Sequence, residues 1–555
     1  MSKYSTRILA ASLLAIGCFP VSAQTPPSAS RALEIISTPP DLAGKPEAVL
    51  PQPEIPAAKP SAGADDTGFS FLINEFRLSG AKRFSESELK ALIAEFTGRK
   101  VTLSELNAGA DRISKHYREH NLPFVQVFIP PQDVTEGIVE IRIVEGRVGR
   151  VEARVATKSR VKPEMARWVS DPLPVGAPID YTVLTRSILL LNDLPGMQAK
   201  ADLGPGAAIG DVGLLLNLSD RGPLVNFSMD VDNHGSRSIG ESRIGGTLRL
   251  NNLSGIGDQL VGRLQHSSGN GVNSGQVSYQ RPVGYKGLKL GGQVSRTDYE
   301  AGKEFAALDV EGDGVTVNFN ATYPLLRTRA TNLNFNGALE YRDLNDSQTN
   351  ITSSKSLKVM TLGFDGDMTD NWRGGGVTSY ALILNIGEAN NDANPADEGG
   401  YEKLSWDLQR RQFINEKSTL LAKTRGQLPS AKLDSSEKIS LGGPTGVRGY
   451  PVGESSSDAA LLANLEWHYS LGQVGQGFTL MPHAFFDYAI SRLEKGSQAS
   501  GNTRHLWGLG VGLLAYKPGK AQFTASLARR GSGDAPQSNN DDDRYRLWLQ
   551  AVYSF

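Results

Sequence analysis

The sequence predicts an all-β transmembrane barrel of about sixteen antiparallel strands, preceded by two small α+β domains. Three observations carry that expectation. Beyond Pro223, segment after segment alternates apolar and polar residues; the connections between those segments are short and long in turn; and a β-α-α-β-β order occurs twice between Phe69 and Leu218. Composition sets the frame. The 555 residues carry 58 Lys+Arg against 59 Asp+Glu, a net charge of -1 that does not suit a basic nucleic-acid binder. Sixty glycines with only 21% charged residues fit strands and turns better than helical packing.

Residues 1–23 read as a secretory signal peptide: Lys3 and Arg7 form the positive start, Ile8 to Phe19 the apolar run, and Val21-Ser22-Ala23 the cleavage site. Cys18 is the sole cysteine; a lipoprotein reading of it lacks the leucine three residues before. Its removal leaves no thiol for a disulfide, a nucleophile or a metal. No later stretch offers the 18 or so uninterrupted apolar residues of a membrane helix, so an exported chain that spans a membrane must close into a barrel. Residues 24–68 form a proline-rich linker, within which Ser30–Ser37 (SRALEIIS) is a short patch with helical spacing of Leu33 and Ile36.

The first α+β unit spans 69–146. A strand-like FSFLINEFRLSG precedes SESELKALIAEFTG, whose Leu89, Leu92, Ile93 and Phe96 share a helical face behind a serine cap. A second helix, Leu103 to His120, and two alternating strands, Phe124–Pro130 and Gly137–Glu145, complete it. The second unit, 147–220, repeats the order. This tandem resembles two POTRA domains, the periplasmic modules that receive unfolded clients ahead of outer-membrane barrels. The resemblance implies a sheet edge at Phe124, Val125, Val127 and Ile129 that takes an extended client strand through main-chain hydrogen bonds.

In the barrel, residues 223–555, Val225, Phe227, Met229 and Val231 point one way while Asn226, Ser228, Asp230 and Asp232 point the other. Connections after even-numbered segments are short, and most of those after odd-numbered ones are long: 298–313, 343–355, 388–401, 429–458 and 489–503. Both chain ends of the barrel then face the periplasm, where the tandem units must lie. The last segment turns Leu547, Leu549, Tyr553 and Phe555 to one face and Trp548 and Val552 to the other.

The longest connection holds Leu441–Gly453 (LGGPTGVRGYPVG), five glycines and two prolines around a single charge, Arg448. Its Val447-Arg448-Gly449-Tyr450 resembles the VRG(F/Y) motif of two-partner secretion transporters, the TpsB family of ShlB, FhaC and HecB type. Asp232-Asn233 with Gly235 and Gly240, GIGD at 255–258 and FFDYA at 485–489 match the same family in the same order.

That resemblance implies an outer-membrane pore of a Gram-negative bacterium, with POTRA domains in the periplasm. Its partners are a secreted TpsA-type exoprotein of adhesin or haemolysin class, outer-membrane lipid, and the barrel assembly machinery, which reads the terminal Phe555. It implies that the sixth outer loop folds into the lumen, where Arg448 meets Asp487 on the inner wall, and that an N-terminal helix plugs the pore, a role SRALEIIS could fill. Independently of the family, the strand period puts Asp487, His483, Phe485 and Glu466 on the inward face, and Glu466 is a second partner for Arg448. The sequence offers no cofactor, no catalytic residues and no metal set: it has no G-x-x-x-x-G-K-[ST] loop, Gly508, Gly510 and Gly512 sit within a strand, and seven histidines are scattered without a nucleophile beside them. An assembly factor of the same superfamily is the alternative reading.

Overall fold

The computed structural model describes residues 28, 29, 32, 70–269, 271–349, 351–392, 398–538 and 543–555. The expected signal peptide, most of the linker and most of the Ser30–Ser37 patch lie outside the described residues.

In the first unit, β1 (Ser70–Leu72) pairs with β3 (Lys100–Thr102), and β2 (Glu75–Ser79), β5 (Ile138–Glu145) and β4 (Val125–Phe128) form a sheet in the order β2-β5-β4. Helix α1 (Glu86–Ala91) starts where Ser85 Oγ accepts the Glu88 N–H at 3.2 Å. It is shorter than its apolar spacing suggests. Ile93 leaves helical geometry at φ -121, and a 3₁₀ turn over Ala94–Phe96 carries the pattern on, so Leu89, Ile93 and Phe96 still bury together. Helix α2 (Leu103–Glu119) opens on a capping box between Thr102 and Glu105 and packs Leu106, Ala110, Ile113 and Tyr117 on the sheet. Burial, and then the Glu145 carboxylate that accepts its hydrogen bond at 2.7 Å, push the Tyr117 hydroxyl pKa up.

The second unit has the sheet order β6-β8-β7, with β6 (Arg147–Val155), β7 (Met197–Pro205) and β8 (Asp211–Asp220). Helices α3 (Arg167–Ser170) and α4 (Tyr181–Asn192) close its core around Trp168, Leu184, Ile188 and Leu216. This unit is docked on the barrel. Arg327 clasps Asp193 through Nε and Nη2 at 2.6 and 2.7 Å, and Arg167 lies 4.3 Å from the centroid of the Tyr285 ring. In the GIGD turn, Gly257 (φ +81) is the close-approach point, since a Cβ there would lie 2.5 Å from Leu194.

The barrel begins with β9 (Val225–Asp232), β10 (Arg243–Asn251), β11 (Gln259–Ser267), β12 (Val272–Pro282) and β13 (Lys289–Glu300). It continues through β14 (Glu311–Arg327), β15 (Thr331–Gln348), β16 (Ile351–Asp370), β17 (Gly376–Asn391), β18 (Gly399–Phe413) and β19 (Ser418–Pro429). After β20 (Ala459–Tyr469), a short β21 (Gly472–Val474) lies within a turn, followed by β22 (Phe478–Arg492), β23 (Thr503–Lys517), β24 (Ala521–Arg530) and β25 (Tyr545–Ser554). Sixteen long antiparallel strands close as β25 pairs with β9. The pattern of exposure is that of a membrane barrel: Val225, Phe227, Met229 and Val231 are exposed on the outside, whereas Ser228, Asp230 and Asp232 are buried inside.

Several expected outer loops are strand instead. β15 runs to Gln348 and β16 starts at Ile351, so most of the expected 343–355 loop is strand; 298–313, 388–401 and 489–503 are also shorter than expected. β14, β15 and β16 reach 17, 18 and 20 residues, where roughly 9–11 cross a bilayer, so these hairpins stand clear of the membrane. Outside lipid both faces are wet, and the polar run Asn345 to Thr349 therefore hides the strand period that marks the membrane portion. The 430–458 connection remains the longest between barrel strands.

Candidate functional site

The 430–458 connection turns back into the lumen as two stitched limbs. Gly443, with φ +92, gives its N–H to Tyr450 O at 3.0 Å, Val447 N–H donates to Leu441 O at 2.7 Å, and Leu441 N–H to Glu454 O at 3.0 Å. Val447 and Tyr450 are fully buried with Leu441, Leu462, Ala489 and Leu506, and Tyr450 Oη donates to Asp534 O at 2.9 Å.

Arg448 sits between two acids. Its backbone N–H and Nε donate to Asp487 Oδ2 at 3.0 and 2.9 Å, and Nη2 donates to Asp487 Oδ1 at 2.7 Å and lies 3.0 Å from Glu466 Oε1. The guanidinium stands 3.4 Å from the Phe485 ring centroid, and Trp548 Nε1 donates to Arg448 O at 2.9 Å. Asn464 ties Asp487 to the loop by donating to Asp487 Oδ1 at 2.8 Å and to Gly446 O at 3.2 Å. His468 Nε2 meets Glu466 Oε2 at 2.8 Å and its ring stacks on His483. The loop motif and both predicted acids therefore converge on one buried point.

Two glycine features make the fit possible. The inward residues Gly508, Gly510 and Gly512 of β23 stand opposite Asp487, Phe485 and His483, and a Cβ on Gly510 would lie 2.4 Å from Phe485. At the loop itself, a Cβ on Gly449 would lie 2.8 Å from Arg530 Cα. Beside this point a cavity of about 800 Å³ is lined by Arg243, Arg342, Lys403, Arg448, Glu466 and His483, among others.

The loop is held at other points that sequence reading missed. Asp434 pairs with Lys355 at 3.2 Å, Glu437 with Arg342 at 2.7 Å and Lys403 at 2.6 Å, Glu454 with Arg504 at 3.0 Å, and Asp458 with Lys438 at 3.3 Å. All four acids are buried. Their signal was the clustering of acids at both ends of a loop whose middle carries one cation.

The remaining predicted residues fall elsewhere. Asp232 is buried against Arg243 at 2.7 Å, and a Cβ on Gly235 would lie 1.8 Å from Gly240 O, which keeps the turn tight. Asn233 faces outward and bonds Leu547 O and Leu549 N–H at 2.7 and 2.8 Å, stitching the closing seam of the barrel. Phe555 stacks on Phe227 across that seam, with centroids 5.5 Å apart. In the first unit β4 is an edge strand of its sheet. Its predicted side chains do not line that edge: Val127 is buried, Val125 and Ile129 pack on the same core, Phe124 packs on the second unit, and Phe128 is the exposed apolar residue. The strand period allowed either face outward, and packing chose. Ala29 and Ala32, at 2% and 0% exposure, are buried in an apolar cluster with Tyr299, Leu344, Leu357 and Ala389, and Ala29 N–H donates to Asp346 Oδ1 at 2.6 Å. Among the described residues no group of three or more His, Cys, Asp or Glu side chains is placed to hold a metal.

A family model described as haemolysin secretion/activation protein ShlB/FhaC/HecB matches residues 213–515, and one described as POTRA domain, ShlB-type, matches residues 71–146. The chain is 26% identical over 486 residues to the heme/hemopexin transporter protein HuxB of Haemophilus influenzae, covering 84% of each chain. It is 23% identical to the outer membrane transporter CdiB of Dickeya dadantii, covering 80% of each. Its fold is similar to that of CdiB from Escherichia coli, with a TM-score of 0.74 and 19% identity, covering 90% of this chain and 93% of that one.

Proposed function

This chain belongs to the haemolysin secretion/activation family of ShlB, FhaC and HecB, and we propose that it passes an unfolded exoprotein of adhesin or haemolysin type through its barrel to the cell surface without nucleotide hydrolysis. It is an outer-membrane transporter of two-partner secretion whose POTRA domains face the periplasm. One observation supports the finer reading above the others: the sixth outer loop is folded into the barrel and Arg448 is gripped there by Asp487 and Glu466. The three residues act as a latch on the loop, with Val447, Gly449 and Tyr450 shaping its tip. A lumen with a latched loop and an N-terminal segment on its wall is a gated passage rather than an open porin.

The other roles belong to the same proposal. The β4 main-chain edge receives the client strand, with Phe128 supplying apolar contact. Asp232, Asn233 and Gly235 hold the first strand against the last, and Phe555 is the signal read by the barrel assembly machinery as the apolar wall enters outer-membrane lipid. Ser28, Ala29 and Ala32 belong to a plug that rests on Asp346 through the Ala29 N–H. Folding of the client after exit supplies direction, because a folded β-helix cannot slip back. In cells that carry this transporter and a candidate exoprotein of the adhesin or haemolysin type, external protease should cut the exoprotein only when the transporter is present. Equal cutting without the transporter would end this reading.

A further inference from the structure

If a polypeptide crosses this barrel, as the proposed function requires, it needs a route beside the loop that fills one side of the lumen. The tip of that loop lies against β20 to β25, through Asp487 of β22, Arg530 of β24 and Trp548 of β25. Its start reaches the other side only in the outer half, where Asp434 and Glu437 pair with Lys355 of β16, Arg342 of β15 and Lys403 of β18. The facing arc, β12 to β15, has a different chemistry in its periplasmic half: its inward, half-buried side chains include the carboxamides Gln276, Gln293, Asn318, Asn320, Asn334 and Asn336, and the carboxylates Asp365 and Asp367 of β16 border it. Gln276 donates to Gln293 at 3.1 Å, Asn320 to Asn318 at 3.2 Å, Thr322 to Asn336 at 2.9 Å and Asn334 to Asp365 at 3.0 Å. A Cβ on Gly291 would lie 2.7 Å from Asn320 Oδ1, so that amide spreads over the neighbouring strand.

We propose that this amide-lined arc is the track on which the exported chain moves in extended form, its main-chain N–H and C=O groups exchanging hydrogen bonds with the carboxamides. Each carboxamide both donates and accepts, as a peptide group does, and carries no charge of its own; the bordering Asp365 and Asp367 already accept from Asn332, Asn334 and Asn336. Recognition of this kind is independent of client sequence. The ends of the arc fit the role. At its foot Asn332 accepts from Arg327, the same guanidinium that clasps Asp193 of the second unit, so the track starts where that unit is docked. At its outer end lies the apolar cluster covered by Ala29 and Ala32, so a chain moving along the track displaces the N-terminal segment.

The test uses the purified full chain in a planar bilayer and, as probe, a neutral unfolded peptide of Gly, Ser and Asn with one central cysteine and a biotin–streptavidin stop at its trailing end. Single substitutions Asn320→Cys and Asn336→Cys place a thiol on the track; Thr524→Cys and Ser526→Cys place one on the loop side, where both residues line the cavity. Retained heat-modifiable gel mobility certifies each barrel. Disulfide capture should favour the track positions by about fivefold or more, the factor expected of one net hydrogen bond. Equal capture on both sides, or preference for β24, overturns the track while leaving a polypeptide-conducting pore. Capture at none of the four positions overturns the transport reading itself and the track with it.

Discussion

Arg448 and Asp487, 39 positions apart in the chain, are joined inside the barrel by three hydrogen bonds of 2.7 to 3.0 Å, one of them from the loop backbone. Removing the guanidinium leaves Asp487 buried without its counter-charge, a local cost of about 3–5 kcal/mol that the loop relieves by moving away. Arg448→Ala should therefore keep a folded barrel and lose exoprotein export. Normal secretion by this variant, measured beside heat-modifiable gel mobility, would remove the latch.

Gly449→Ala tests the fit of the loop without touching a charge. The added methyl would lie 2.8 Å from Arg530 Cα and 2.9 Å from its backbone nitrogen, neither of which can swing aside. A clash of this kind typically costs about 1–3 kcal/mol, enough to shift the loop. Limited proteolysis within 441–453 should become faster, and export should fall as it does in Arg448→Ala; unchanged proteolysis would show that the loop tolerates the extra volume.

The closing seam depends on Asn233, whose side chain bonds both a carbonyl and an N–H of β25, while the β9–β25 ladder pairs only Asp232 to Ser228 with Gln550 to Ser554. Asn233→Ala should lower the unfolding temperature of the folded band in a heating series, by the equivalent of about 1–2 kcal/mol. Asn233→Asp loses the donor to Leu547 O but keeps the acceptor for Leu549, and should fall between the two.

Docking of the second α+β unit is expected to be modest in energy, because the Asp193 and Arg327 side chains remain 28% and 17% exposed. Asp193→Ala should cost about 1 kcal/mol or less in global stability. It should nonetheless speed hydrogen exchange in α4 and in the 328–330 turn. No change in exchange would mean that Leu194 on Gly257 and the stack of Arg167 on Tyr285 hold the domain without the ion pair.

Deleting Ser28 to Leu50 removes Ala29 and Ala32, which pack on Tyr299, Leu344 and Leu357 at the outer end of the lumen, and should raise the ion conductance of the reconstituted barrel. Asp346→Ala, which removes the acceptor of the Ala29 N–H, should raise it partway. A deletion variant with wild-type conductance would refute the plug.

The strand content of the barrel was legible because its signal is local. Period-two alternation assigns each residue a face, which is how Asp487, Glu466, Phe485 and His483 could be placed inward from spacing alone and how Trp548 and Val552 could be separated from the lipid-facing residues of β25. The alternation fails where neither face meets lipid. Asn345 to Thr349 are polar on both sides, and a strand there reads as a loop.

The amino-acid order by itself determined the strands, their faces, the repeated α+β units and a lone cation in a glycine-rich loop, because each depends on neighbours a few positions away. Closure of the cylinder decided the rest. Only when β25 meets β9 do Trp548 and Arg448 come together, and only then do the glycines of β23 lie under the loop, Asp434, Glu437 and Glu454 find cations on distant strands, and Ala29 reach Asp346. The physical reason is that such contacts join residues whose separation along the chain leaves no periodic trace, and whose meeting is set by the curvature of a wall that no single strand encodes.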